Sequence, residues 1–185
     1  AADYLAGLET VDGGNLGVMG WSQGGTDALL AAEAHPGTFQ AVVTWSGALE
    51  LNGASLFAGT SFEDAYAQAK KEGFYTMTFD WREPLELGER WFQEVAETNI
   101  LKVTADIKAP ILAINGKDDT TVTPDNAEKI VKAAANADSQ LLLVDNCDHT
   151  YNVFSGDFTA LYQTVDATAA FFQAQLIPAA AQAAA

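Results

Sequence analysis

The sequence predicts an α/β fold, about four short, mainly parallel strands with flanking helices and a helical insertion after the second strand. Three observations carry this. Apolar runs at 15–20, 41–45, 109–115 and 141–144 are too short for helices and are bounded by turn residues. Helical patterns at 26–34, 126–135 and 158–175 separate or follow them, which is the rhythm of a parallel sheet with right-handed crossovers. Between the first run and the first helix lies Gly20-Trp21-Ser22-Gln23-Gly24-Gly25, a turn sharp enough to convert strand directly into helix.

In chain order, residues 1–10 place Tyr4, Leu5 and Leu8 on one helical face, and Asp12-Gly13-Gly14-Asn15 ends that pattern. The strand at 15–20 follows, then the helix at 26–34, closed by His35-Pro36-Gly37. The runs at 15–20, at 41–45, at 109–115 (which contains Pro110) and at 141–144 do not alternate in polarity, as expected of strands covered on both faces. One stretch interrupts the rhythm. Residues 48–105 contain no clear buried strand, yet they hold nine of the nineteen aromatics: Phe57, Phe62, Tyr66, Phe74, Tyr75, Phe79, Trp81, Trp91 and Phe92. A structureless loop of that size is improbable in a compact domain, so the stretch reads as a helical cap, its aromatics lining a pocket or packing the insertion itself. The fold core is then 1–47 with 106–177, and 178–185 is an Ala-rich tail without functional content.

With 185 residues, 49% hydrophobic and 18% charged, the chain is expected to form one soluble domain rather than a disordered segment. No window approaches the roughly 18 apolar residues of a membrane-spanning helix. Nine Lys and Arg stand against 25 Asp and Glu, a formal charge of −16, and no cation precedes Lys70 or follows Lys132. Such acidity argues against nucleic acid or an anionic membrane as partner. It leaves the compartment open between cytoplasm and secretion. A single cysteine, Cys147, and two histidines, His35 and His149, provide neither an internal disulfide nor a metal cluster.

The chemistry concentrates at Ser22, in a Gly-x-Ser-x-Gly turn at a strand-to-helix junction. A serine there has strained backbone angles, and glycines on either side let the helix pack back on the strand while the hydroxyl points outward. A serine hydroxyl becomes a nucleophile only beside a base, and a histidine base needs an acid to fix its tautomer. His149 lies just past the fourth strand, in a loop opening toward the same C-terminal sheet edge as Ser22, where parallel sheets place catalysis. His35 is explained by helix termination before Pro36. The acid should come from the loop after the third strand, where Asp118 and Asp119 are adjacent. Only one of them can face the histidine; the other belongs to the turn and cap ahead of the next helix.

These residues resemble the α/β-hydrolase superfamily, whose chain order is nucleophile, acid, histidine. The family commonly carries its acid in a G-x-x-D-x-x-V-x-P segment, and Gly116, Asp119, Val122 and Pro124 stand in that register, which selects Asp119 over Asp118. The elbow, the aromatic insertion and the Asp-His segment look most like the dienelactone hydrolase, feruloyl esterase and prolyl-oligopeptidase-like branch, over residues 1 to about 176. The resemblance implies cleavage of a small-molecule carboxylic ester by Ser22, His149 and Asp119 through an acyl-enzyme, the Gln23 N–H as one oxyanion donor, and no metal or organic cofactor. A prolyl-oligopeptidase-type peptidase is the alternative within this machinery; an inactive fragment or a non-catalytic binding module is the alternative outside it. A complete family member has further strands before the elbow, including a loop with the first oxyanion donor, and nothing here corresponds to them. The chain is therefore expected to be the C-terminal half of the fold, with the Ser22 strand at a sheet edge. A homodimer completing the sheet in trans is the other arrangement.

Overall fold

The computed structural model describes residues 1–53, 57, 59–79 and 82–177. Trp81 and the tail at 178–185 lie outside the described residues. The chain divides into two compact units: Ala1–Leu49 with the chain from Ile100 onward, and Glu50–Asn99.

The first unit opens with a short helix, α1 (Ala2–Ala6), and continues through β1 (Leu16–Trp21), α2 (Gln23–Ala34) and β2 (Phe39–Trp45). After the second unit come α5 (Ile100–Asp106), β5 (Ile111–Gly116), α6 (Asp125–Ala133), β6 (Gln140–Val144) and α7 (Thr159–Leu176). All neighbouring strands of the sheet are parallel, in the order β1-β2-β5-β6.

The apolar runs at β2 and β5 are continuous because both faces of these strands are covered. Consecutive residues enter opposite cores. Val42, Ile111 and Ala113 pack with Leu29 of α2, Ile107 beyond α5 and Ile130 of α6. Val43, Leu112 and Ile114 pack with Val144, Tyr151 and Phe171 of α7. The first strand departs from the expected unalternating pattern: Leu16, Val18 and Gly20 are half-buried while Gly17, Met19 and Trp21 are exposed. Its place at one edge of the described sheet explains this, since less structure covers it than covers β2 and β5.

Residues 100–105, which the sequence assigned to the insertion, belong to the first unit. Ile100 and Thr104 of α5 are buried, Ile100 in the core shared with α2 and α6, and an apolar face of two turns is too short for periodicity alone to place.

The second unit is not purely helical. It contains α3 (Phe62–Glu72), β3 (Phe74–Met77), β4 (Leu85–Gly88) and α4 (Glu89–Glu97), the two strands forming an antiparallel pair. Ser61 caps α3 by accepting a 3.0 Å hydrogen bond from the Asp64 N–H, and Gly73, at φ 91°, ends it in the left-handed region. The chain emerges extended into Phe-Tyr-Thr-Met, residues that favour strand. Phe57, Phe62, Ala65, Ala69, Met77 and Phe92 form this unit's own core, with Tyr66 stacked on Phe92 at 5.5 Å and 8°. The aromatic density thus packs the insertion.

Candidate active site

Ser22 sits between β1 and α2 at φ 56°, ψ −124°, a conformation that costs a non-glycine residue about 1–3 kcal/mol and persists only where the surroundings impose it. They do so through backbone bonds. The Ser22 N–H donates to the Trp45 carbonyl at 2.8 Å, and the Ser22 carbonyl accepts from Gly25 N–H at 2.9 Å. Two glycines make the turn sterically feasible. A Cβ on Gly20 would lie 1.8 Å from the Gly24 carbonyl oxygen, and one on Gly25 would lie 2.8 Å from the Gly47 Cα. Among the described residues a Cβ on Gly24 would meet nothing within 4 Å. The close approach on the helix side therefore rests on Gly25 rather than on the second glycine of the Gly-x-Ser-x-Gly pattern.

Strain of this kind recurs along the same sheet edge. The described non-glycine residues at positive φ are Ser22, Ser46, Asn146, Tyr151 and Asn152, all in the turns that follow β1, β2 and β6. Backbone held in sparsely populated regions clusters at functional sites.

Three side chains converge at this edge. His149 Nε2 lies 3.1 Å from Ser22 Oγ, and His149 Nδ1 lies 2.8 Å from Asp119 Oδ2. Asp119 is buried, while its neighbour Asp118 is exposed and uses its backbone N–H on the Cys147 carbonyl at 3.1 Å. Asp119 Oδ1 accepts from the N–H groups of Thr121 and Val122, both at 2.9 Å. Burial pushes the Asp119 carboxyl upward, but bonds from His149, the Val122 N–H and the Ser46 hydroxyl, with the charge of His149, outweigh it and hold the group below its ordinary value. An ionised Asp119 favours the tautomer in which Nδ1–H donates a hydrogen bond to it, and that tautomer turns the Nε2 lone pair toward the serine hydroxyl. His35, by contrast, caps the far end of α2 and takes no part. Gln23 is the first residue of α2, where a backbone N–H has no intrahelical acceptor.

The His149 loop is held locally by Asp148. Its Oδ1 accepts from the Thr150 N–H at 2.8 Å and the Asn152 N–H at 3.0 Å, and Asn152 Oδ1 accepts from the Asp148 N–H at 3.1 Å. The loop is also tied to the acid loop. A Cβ on Gly116 would sit 2.1 Å from the Cys147 carbonyl oxygen, so the end of β5 and the chain beyond β6 touch backbone to backbone.

Two further residues complete the frame, and sequence reasoning did not single them out. Tyr151, 2% exposed, donates to the Ile114 carbonyl at 3.2 Å and lies 3.3 Å from Ser46 Oγ. Burial pushes its phenol well above the usual range, so it stays a neutral donor. The only local signals were the small Ser-Gly pair after β2 and an aromatic two residues beyond the histidine. Among the described residues no group of three or more His, Cys, Asp or Glu is arranged to hold a metal ion.

A parallel sheet with helices on both faces, and a serine, a histidine and an aspartate joined at its C-terminal edge in that spatial order, define an α/β-hydrolase fold. Comparison with known proteins narrows this: residues 1–177 match the model of the prolyl oligopeptidase family, and the chain belongs to that family. Similar solved structures include Est1E from Butyrivibrio proteoclasticus, with a TM-score of 0.71 at 21% identity over 95% of this chain and 66% of that one. A dienelactone hydrolase from Anabaena variabilis matches with a TM-score of 0.60 at 20% identity, over 95% of this chain and 56% of its own. A puromycin-hydrolyzing peptidase of Mycobacterium tuberculosis matches with a TM-score of 0.64 at 22% identity, over 95% of this chain and 24% of its own. The chain thus spans less than two thirds of the length of each. No curated protein matches the chain.

Proposed function

We propose that this chain carries the reacting groups of a serine hydrolase that cleaves carboxylic esters. The observation that carries the reading is the unbroken hydrogen-bonded path from Asp119 through His149 to Ser22, at 2.8 and 3.1 Å, ending on the hydroxyl of a residue with strained backbone angles. In this reading His149 Nε2 takes the Ser22 proton as Oγ attacks the ester carbonyl, and Asp119 stabilises the imidazolium that forms. The Gln23 N–H donates to the oxyanion. His149 returns the proton to the leaving alcohol, and water activated by the same imidazole releases the acid and frees Ser22. Est1E has been solved with ferulic acid bound, which makes esters of aromatic acids the first class to try.

The family match supports a second reading, a serine peptidase acting on an amide bond by the same steps. The two are separated by comparing p-nitrophenyl acetate and butyrate with a prolyl p-nitroanilide. Labelling with a fluorophosphonate tests the machinery common to both: Ser22 should be modified, and Ser22→Ala should lose both labelling and turnover. Labelling that survives in Ser22→Ala, or a chain that is never labelled at Ser22, refutes the proposal.

A further inference from the structure

β1 and β6 occupy opposite edges of the four-stranded sheet. Three strand spacings separate them, about 14 Å, so no direct pairing of β1 with β6 sets the distance between Ser22 and His149, and side chains help to span it. Asp119 spans part of the gap from the turn after β5. Trp21 reaches across from the other side. It directly precedes Ser22, so the turn that presents the hydroxyl also fixes its backbone. Its indole Nε1–H donates a 2.9 Å hydrogen bond to the His149 carbonyl, and its ring lies 5.3 Å from the imidazole, inclined by 38°. Both imidazole nitrogens are already engaged, with Asp119 and Ser22. The ring face and the peptide of His149 remain to be held, and Trp21 contacts each. Burial does not account for this side chain, which is 47% exposed.

We propose that Trp21 is a positioning residue that clamps the ring and peptide of His149 from the nucleophile's own turn and so keeps Nε2 within reach of Ser22 Oγ. This rests on the reading of Ser22 and His149 as nucleophile and base. Displacing a reacting group by about 1 Å costs up to 10²-fold in rate. Trp21→Phe keeps an aromatic ring but loses the donor, and Trp21→Leu loses both.

On p-nitrophenyl acetate, Trp21→Phe should lower kcat about tenfold and Trp21→Leu about 10²-fold, with KM within about twofold. In a His149→Ala background Trp21→Phe should cost nothing further, because it acts through the imidazole. Equal losses in both backgrounds, or a change confined to KM, would overturn the inference. An independent arm needs no turnover. In NMR spectra of the whole chain the Trp21 indole N–H should exchange about tenfold more slowly than a free indole, and Trp21→Phe should move the His149 ring resonances. A freely exchanging indole with unmoved His149 resonances overturns the clamp whether or not the chain hydrolyses esters. A protected indole in a chain without Ser22-dependent hydrolysis supports the clamp and overturns the functional reading instead.

Discussion

The junction between the Asp119 and His149 loops can be broken with a single methyl group, by Gly116→Ala. The new Cβ would lie 2.1 Å from the Cys147 carbonyl oxygen, 2.7 Å from its carbon and 2.9 Å from its Sγ. Ordinary contacts begin at 3.4 Å, so the two segments must part by about 1.3 Å. No rotamer change relieves the overlap, because the nearest atoms are backbone. Two hydrogen bonds stand beside the contact, Lys117 N–H to the Val144 carbonyl at 2.9 Å and Asp118 N–H to the Cys147 carbonyl at 3.1 Å, and that separation breaks both. At about 1 kcal/mol for each bond and about 2 for the overpacking, the loss is about 4 kcal/mol. For a chain of this length that lowers Tm by about 12 °C. The same shift opens the 2.8 Å contact between Asp119 and His149, so ester hydrolysis should fall about 10²-fold at a temperature where circular dichroism shows the variant folded. Thermal denaturation and p-nitrophenyl acetate turnover measure the two effects. A variant that melts within about 2 °C of the unaltered chain, or that melts early yet turns over at the unaltered rate, would refute the coupling of this contact to the site.

The elbow glycines should behave oppositely. Gly20→Ala should abolish fluorophosphonate labelling of Ser22, because its Cβ meets α2 backbone, whereas Gly24→Ala should leave the fold intact and raise stability by up to about 1 kcal/mol through helix propensity; a destabilised Gly24→Ala would contradict the open space around it. Asp119 is held below its ordinary value of 3.8, so its contribution to stability is present above that pH and is lost as the pH falls through the lowered value. Asp119→Asn should therefore reduce Tm at neutral pH by more than Asp118→Asn, and its deficit should narrow on acidification below 3.8; thermal melts in which the deficit widens would reverse the assignment. Burial, with Asp148, Asp119 and Asp118 nearby, pushes the Cys147 thiol up to about 11. Iodoacetamide at pH 8 should spare it in the folded chain and modify it in denaturant, and rapid labelling of the native protein would show the loop to be open.

Much of the sheet was legible because its signals are local. The β2 and β5 runs read as buried strands from their continuous apolar character, and the Ser22 turn read as an elbow because glycine is required within two residues of a strained serine. Where the signal spans fewer residues than its own period, reading failed. The strands of the β3–β4 hairpin have four residues each, with too few side chains on one face to show alternation. The seven residues of α5 could not show which unit covers their apolar face.

The sequence by itself determined the β-α-β order, the elbow, and a serine, an acidic pair and a histidine that the strand ends bring to one sheet edge, since each follows from neighbouring residues and the period of a strand or helix. The family register had singled out Asp119, and the tertiary structure shows how its carboxylate comes within 2.8 Å of His149 Nδ1. The tertiary structure decided that Gly25 rather than Gly24 admits the helix against the strand, and that Trp21, Ser46 and Tyr151 frame the site. Those outcomes depend on contacts between residues up to 128 positions apart, and their distances are set by how strands, helices and turns pack, which no local pattern encodes.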